Sequence, residues 1–246
     1  MTGELFPRPS RELAPGAVLL PDWLDLTQQR ELVAACREWA RPPAGLRRVR
    51  LPGGAEMSVR QVCLGWHWAV VPRCPTCGVA RKAAEGCPRH WFPYAYLRTT
   101  ADGDGAPVKP FPAPLGVLAR RAVAAAYGPR VAQIPGALDY APDVALVNHY
   151  GEGARMGLHQ DLEERTDAPV VSLSLGDSCV FRLGNSSTRN RPWTDVELRS
   201  GDLLVFGGPA RYAYHGVLRT LPGTADPVLG LSGRLNITVR CTGLAD

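Results

Sequence analysis

From residue 143 onward the chain is written as short apolar stretches broken by turn residues, and that pattern leaves few folds open. Strands are expected near 143–150, 154–159, 169–175, 178–183, 194–199, 202–206, 211–216 and 234–241. Eight short strands at this spacing point to a double-sheet jelly roll or a barrel, the architectures that limit exposed strand edges. The last strand is the clearest. In Arg234-Leu235-Asn236-Ile237-Thr238-Val239-Arg240 polar and apolar residues alternate without a break. Period two puts Arg234, Asn236, Thr238 and Arg240 on one face and Leu235, Ile237 and Val239 on the other. The apolar face belongs in a core. The polar face has two readings: the solvated outside of an edge strand, or the wall of a cavity that holds anions.

The first half is written differently. Residues 1–24 are rich in proline and read as irregular. A helix is expected over 27–40, where Asp25 and Gln28 have capping-box spacing, Leu32, Ala35, Cys36 and Trp39 share a face, and Pro42-Pro43 follow. A hairpin is expected from Leu46–Leu51 and Met57–Leu64 around a Pro-Gly-Gly turn at 52–54. Residues 97–112 read as a loop, and a second helix fits 113–127, closed by Gly128-Pro129. No internal repeat or linker divides the 246 residues, so residues 1–246 are expected to form one α+β domain. Its jelly-roll core, a double-stranded β-helix, would carry N-terminal helices and a β-hairpin.

Charge and targeting signals narrow the setting. No apolar run approaches the roughly 20 residues that cross a bilayer, and the N-terminus lacks a signal-peptide pattern. Seven cysteines, an odd number unevenly placed, read as reduced thiols or metal ligands. A cytoplasmic monomer with no membrane partner is the expectation. Net charge is +5, and of 28 basic residues only Lys82 and Lys109 are lysines. A GC-rich coding genome would produce that bias, and so would phosphate contact.

His159-Gln160-Asp161 carries the chemistry. On a strand, residues i and i+2 point the same way, so His159 and Asp161 can face one cavity. His215, after Tyr212-Ala213-Tyr214, fits as a third ligand from elsewhere in the fold. Two histidines and one carboxylate leave open positions on a metal, the arrangement of oxygen-activating Fe(II) enzymes. Arg234 and Arg240 would then each grip one carboxylate of a dicarboxylate such as 2-oxoglutarate. Asn148 and Tyr150 share a face just ahead of His159 and could line the same cavity.

Several stretches together resemble the AlkB family of Fe(II)/2-oxoglutarate nucleic-acid dealkylases. They are Leu146-Val147-Asn148-His149-Tyr150, Gly153 through Asp161, Ala168 through Gly176, Ser200 through Gly208, Tyr214-His215-Gly216 and Arg234 through Arg240. The resemblance is close over 92–243 and loose over 20–66. It implies that His159, Asp161 and His215 bind iron. Arg240 and Asn148 match residues on the side of 2-oxoglutarate nearer the metal, and Arg234, Tyr150 and Asn236 match those at its distal carboxylate. It further implies that Trp66 of Leu64-Gly65-Trp66 stacks on the target base and that Glu163 lies near the base's exocyclic amine. Tyr94 and Tyr96 would approach the nucleic-acid backbone, Arg189 would touch substrate, and Pro52 through Ser58 would form part of a lid. The implied activity is oxidative removal of alkyl groups from bases such as 1-methyladenine and 3-methylcytosine, releasing formaldehyde and succinate. The substrate would be DNA, single-stranded or with the base flipped, with RNA as a second candidate.

One stretch falls outside that resemblance. Within residues 72–93, Cys74-Pro75-Thr76-Cys77 and Cys87-Pro88-Arg89-His90 present two ligand pairs with the spacing of a tetrahedral Cys3His zinc site. A segment this short and polar would rely on the metal for stability. Arg73, Arg81, Lys82 and Arg89 around it would help hold a damaged strand. Two other readings stay open: a 2-oxoglutarate oxygenase acting on a small molecule or protein side chain, and a nucleic-acid binding module whose metal is structural.

Overall fold

The computed structural model describes residues 7–51, 55–71 and 94–244. The expected zinc ligands Cys74, Cys77, Cys87 and His90, and the 52–54 turn, lie outside them. In chain order the described residues form β1 (Arg11–Ala14), β2 (Ala17–Leu20), α1 (Leu26–Trp39), β3 (Arg47–Arg50), β4 (Glu56–Leu64), β5 (His67–Val70) and β6 (Tyr94–Leu97). There follow α2 (Ala113–Tyr127), β7 (Val144–Tyr150), β8 (Met156–His159), β9 (Val170–Gly176), β10 (Ser178–Leu183), β11 (Thr194–Leu198), β12 (Leu203–Phe206), β13 (His215–Leu221) and β14 (Arg234–Arg240).

An eight-stranded sheet runs β1-β2-β12-β9-β14-β7-β4-β3, and a four-stranded sheet runs β11-β10-β13-β8. Tyr150, Val170, Leu204 and Phe206 of the larger sheet share one buried cluster with Cys179, Phe181, Leu183, Val196 and Val217 of the smaller. The other face of the larger sheet is covered by the helices: Val33, Cys36, Leu115, Ala119 and Val123 pack on Val147, Leu173, Ile237 and Val239. Two packed sheets with helices on one outer face make the expected α+β jelly roll.

β14 decides between the two readings of its polar face. It pairs along its length with β7 on one side and β9 on the other, and all seven residues are buried. It is a central strand, so the edge-strand reading is excluded. Leu235, Ile237 and Val239 meet the helices, and the polar row faces the space between the sheets.

Local signals held where they were strong. The Asp25 carboxylate accepts from the Gln28 backbone N–H at 2.8 Å, and the Asp25 N–H donates to Gln28 Oε1 at 3.0 Å, satisfying two of the first-turn donors. Two expectations are corrected and one element is added. Residues 1–24 are not all irregular: β1 and β2 form a hairpin about Gly16, whose φ is +84° and whose Cβ, were there one, would meet Gly207 O at 2.2 Å. The strand expected at 211–216 begins at His215 and runs to Leu221, because a 3-10 turn at Gly208–Ala210 and the buried Arg211 occupy the preceding segment. The β5–β6 pair, which brackets residues 72–93, was not expected. Among the described residues no helix is long and apolar enough to cross a membrane.

Candidate functional site

β8 and β13 are neighbours, and their register sets His159 opposite His215. Asp161 lies just beyond the end of β8. His159 Nε2 stands 3.7 Å from Asp161 Oδ1, and His215 Nε2 stands 3.6 Å from Asp161 Oδ2. The three residues form the one metal-ligating cluster found among the described residues. Atoms held about 2 Å from one ion lie roughly 3–4 Å apart, which these separations match. The tautomers fit as well. His159 Nδ1 lies 2.9 Å from Gly157 O, and His215 Nδ1 lies 2.9 Å from Ala213 O. A carbonyl only accepts, so each Nδ1 carries the proton and each Nε2 presents its lone pair. Asp161 Oδ2 is buried with no hydrogen-bond partner among the described residues, a costly state unless a cation takes it up.

Electrostatics keep these groups in their ligating forms. Burial first, then the His159 imidazole, push His215 down to about 4, so it is neutral at pH 7. Burial works to raise Asp161, but the Arg240 guanidinium beside it outweighs that and holds the carboxyl well below the usual range. Arg240 Nη2 donates to Asp161 Oδ1 at 2.8 Å, and its Nη1 to Glu164 Oε1 at 3.0 Å. Arg211 supports the same cluster from beneath: Nη1 donates to Asp161 O at 3.0 Å, Nη2 to Glu164 Oε2 at 3.0 Å and Nε to Ala168 O at 2.8 Å.

Behind the triad a narrow chamber is walled by Tyr150, Ser172, Phe206, Arg234, Asn236 and Thr238, with Asn148 and Arg240 at its outer side. Sheet register assembles it. Asn236 lies opposite Asn148 on β7 and Ser174 on β9, while Arg234 lies opposite Tyr150. Asn236 Nδ2 donates to Ser172 Oγ at 2.8 Å, and Arg234 Nη2 donates to Ser174 Oγ at 2.9 Å. Arg234 is 1% exposed, yet its Nε and Nη1 have no hydrogen-bond partner and no carboxylate pairs with it among the described residues. A buried guanidinium with unfilled donors fits a carboxylate ligand. The structure therefore divides the two arginines expected to share one dicarboxylate. Arg234 is open to an anion. Arg240 is already braced by Asp161 and Glu164 and has only Nε unfilled.

In front of the triad lies a wider cavity of about 480 Å³. Leu51, Met57, Ser58 and Arg155 line it at the hairpin, with Gln61, Trp68, Tyr94 and Glu163 on its other walls. Trp68 and Tyr94 are stacked, with ring centroids 4.3 Å apart and planes 13° from parallel. Trp68 Nε1 has no hydrogen-bond partner among the described residues. Burial, followed by the carboxylates of Glu164 and Asp161, pushes Glu163 up to about 7.

Three expected substrate contacts are not brought to this cavity. Trp66 is 8% exposed; its Nε1 donates to Asp143 Oδ2 at 3.1 Å, and the Arg98 guanidinium covers its ring at 3.4 Å. It packs with Cys63, Val144 and Leu146 instead. The cause is the turn at Gly65, where φ is +83° and a Cβ would meet Asp143 O at 2.0 Å. β5 starts only at His67, so strand parity does not carry from Trp66 to Trp68. Tyr96 is also buried, donating to Glu164 Oε1 at 2.5 Å. Arg189 is exposed on a loop, 5.7 Å above the Tyr214 ring.

Other side chains at the site were not picked out from the sequence: Trp68, Gln61, Glu164, Arg211, Ser172 and Ser174. The signal for Ser172 and Ser174 was present as alternation on β9. Gln61 shows itself only through register, opposite Asn148, to whose Oδ1 its Nε2 donates at 3.0 Å.

Comparison with known proteins follows the same outline. The sequence model of the 2OG-Fe(II) oxygenase superfamily matches residues 16–240. The alpha-ketoglutarate-dependent dioxygenase AlkB of Salmonella typhimurium is 33% identical over 233 residues, covering 93% of this chain and 91% of its own. The DNA N(6)-methyladenine demethylase ALKBH1D of Arabidopsis thaliana is 31% identical over 245 residues, covering 93% of this chain and 50% of its own. The solved structure of OsALKBH1 superposes with a TM-score of 0.75 at 29% identity, covering 95% of this chain and all of that one. The chain spans about half the length of several curated relatives it matches.

Proposed function

Since the chain belongs to the AlkB family of the 2OG-Fe(II) oxygenase superfamily, we propose that it removes alkyl groups oxidatively from bases in nucleic acid. Its cofactor is Fe(II), with 2-oxoglutarate as co-substrate. One observation carries the substrate reading: the His-Asp-His cluster opens onto a cavity walled by a stacked aromatic pair. The relatives' names, as DNA and RNA demethylases, support the same reading.

His159, Asp161 and His215 would hold the iron, and each histidine is kept in its ligating tautomer by a backbone carbonyl. Bound iron supplies O2-dependent hydroxylation of the alkyl carbon, coupled to conversion of 2-oxoglutarate to succinate and CO2, after which a methyl group is lost as formaldehyde. Arg234 takes the distal carboxylate of 2-oxoglutarate, with Tyr150 and Asn236 shaping the chamber. Asn148 and Arg240 stand at the end nearer the metal. Arg240 orients Asp161 through the 2.8 Å ion pair. Trp68, not Trp66, supplies the flat surface for the base, with Tyr94 stacked on it. Glu163 stands on the same cavity with a carboxyl that is partly protonated near pH 7. The base reaches this cavity only when flipped or single-stranded, because its Watson–Crick edge is closed within a duplex. The reading includes a monomer acting on DNA, with RNA as a second substrate, in the cytoplasm.

The test is formaldehyde release from single-stranded oligonucleotides carrying 1-methyladenine or 3-methylcytosine. Trp68→Ala is expected to lower kcat/KM by about 5–150-fold, the loss of one base–aromatic stack at roughly 1–3 kcal/mol. Trp66→Phe should change it less than about threefold, since the ring is covered by Arg98. Succinate formation without formaldehyde from any oligonucleotide would turn the reading to a small-molecule or protein substrate.

The reading also includes a structural zinc held by Cys74, Cys77, Cys87 and His90. Its support is the paired spacing of the four ligands. Metal analysis of the purified protein is expected to give one zinc per chain, lost in Cys74→Ser while iron binding remains. A wild-type protein without zinc rejects it.

A further inference from the structure

We propose that the outer face of the smaller sheet carries a stacking station for a nucleotide flanking the target base, built from Trp193, Arg182 and Arg191. The inference rests on the nucleic-acid reading above.

Trp193 is half-buried just ahead of β11 and belongs to none of the buried apolar clusters. Two guanidinium groups lie over its ring, Arg182 at 4.2 Å from the centroid and Arg191 at 5.4 Å. They are held differently. Arg182 is fixed by a two-pronged bond to Asp195, at 2.6 and 2.7 Å. Arg191 is exposed, and no ion pair holds it among the described residues. A cation fixed on the ring is all that a stabilising contact requires, and Arg182 provides it. The second, exposed arginine is what a strand-binding surface adds beside an aromatic face for any base: a cation for the next phosphate. As a base settles on Trp193, Arg191 leaves the ring for that phosphate.

Position and charge agree. Leu183 on β10 pairs with His215 on one side and with Thr194 on the other. Thr194, the residue that follows Trp193, therefore lies about 10 Å from His215, two strand spacings away. The intervening loop is tied to the metal motif, since Gln160 Nε2 donates to Ser186 O at 3.0 Å and to Tyr212 O at 2.6 Å. From Arg182 to Trp193 the sequence contains no acidic residue, so the loop itself offers Arg189 and Arg191 without a carboxylate, and the neighbouring Asp195 is engaged by Arg182.

The test is binding of unmodified single-stranded oligonucleotides, a trinucleotide and a 12-mer, by fluorescence anisotropy. The wild-type protein is expected to favour the 12-mer, and Trp193→Ala to shrink that advantage about tenfold, the loss of one stacked base. Trp193→Phe should restore most of it. Arg191→Ala should lower the slope of log Kd against log salt by about one contact. Wild-type protein that does not favour the 12-mer overturns the proposal. So does a Trp193→Ala protein with an undiminished length advantage. A wild-type protein that binds the 12-mer yet releases no formaldehyde from any methylated strand defeats the dealkylation reading alone, and the length comparison still decides this surface.

Discussion

Replacing His215 by alanine is expected to strip the protein of stoichiometric Fe(II) and to cut 2-oxoglutarate turnover more than about 100-fold. Loss of an outer partner to a metal ligand already costs roughly 10–100-fold in affinity, and loss of the ligand itself costs more. The expectation rests on how His215 is held. Its Nδ1 proton is committed to Ala213 O, and burial keeps the ring neutral at pH 7. Its Nε2 therefore faces Asp161 with a free lone pair. The measurement is iron per chain after anaerobic reconstitution, alongside succinate formed. Equimolar iron in His215→Ala would place the third ligand elsewhere.

Glu164→Leu should be the most destabilising single change, by about 3–5 kcal/mol, because it strands buried charge. Glu164 is buried, and its two oxygens receive Arg240 Nη1 and Arg211 Nη2, each at 3.0 Å, together with the Tyr96 hydroxyl. Leucine fills much of the space but leaves two guanidinium groups without that carboxylate. Arg240 keeps Asp161 as its remaining anion and is no longer held from both sides, so the KM for 2-oxoglutarate should rise as well. Urea denaturation checks the first effect and steady-state kinetics the second. The exposed Glu152→Leu serves as comparison, with an expected change within about 0.5 kcal/mol. A Glu164→Leu midpoint equal to that comparison would show that the buried pairs contribute nothing net.

The triad and the chamber differ in how they could be read. His159 and Asp161 are two residues apart, so period-two geometry predicts them co-directional, and the prediction holds although Asp161 lies just past the end of β8, where Arg240 and Arg211 hold it. The polar row of β14 is equally local. Helix α1 was legible through its capping box because that contact spans three residues. By contrast, Trp66 and Trp68 are also two apart, and the same parity rule misleads there, since the Gly65 turn breaks the strand before it begins. Glu164 stands beside Glu163 in the sequence, yet one faces the cavity and the other is buried under the metal cluster. Nothing local separates them, because the difference lies in Arg211 and Arg240, 47 and 76 residues away.

By itself, then, the sequence determined the period-two faces, the two helices, the His-x-Asp pair and the arginines at either end of one strand. Each follows from backbone geometry within a few residues. Only the tertiary structure decided that β14 is central, that Arg234 is open while Arg240 is braced, that Gln61 reaches Asn148 and that Trp68 replaces Trp66 at the cavity. Those outcomes depend on sheet order and register, in which a shift of one residue moves every side chain to the opposite face.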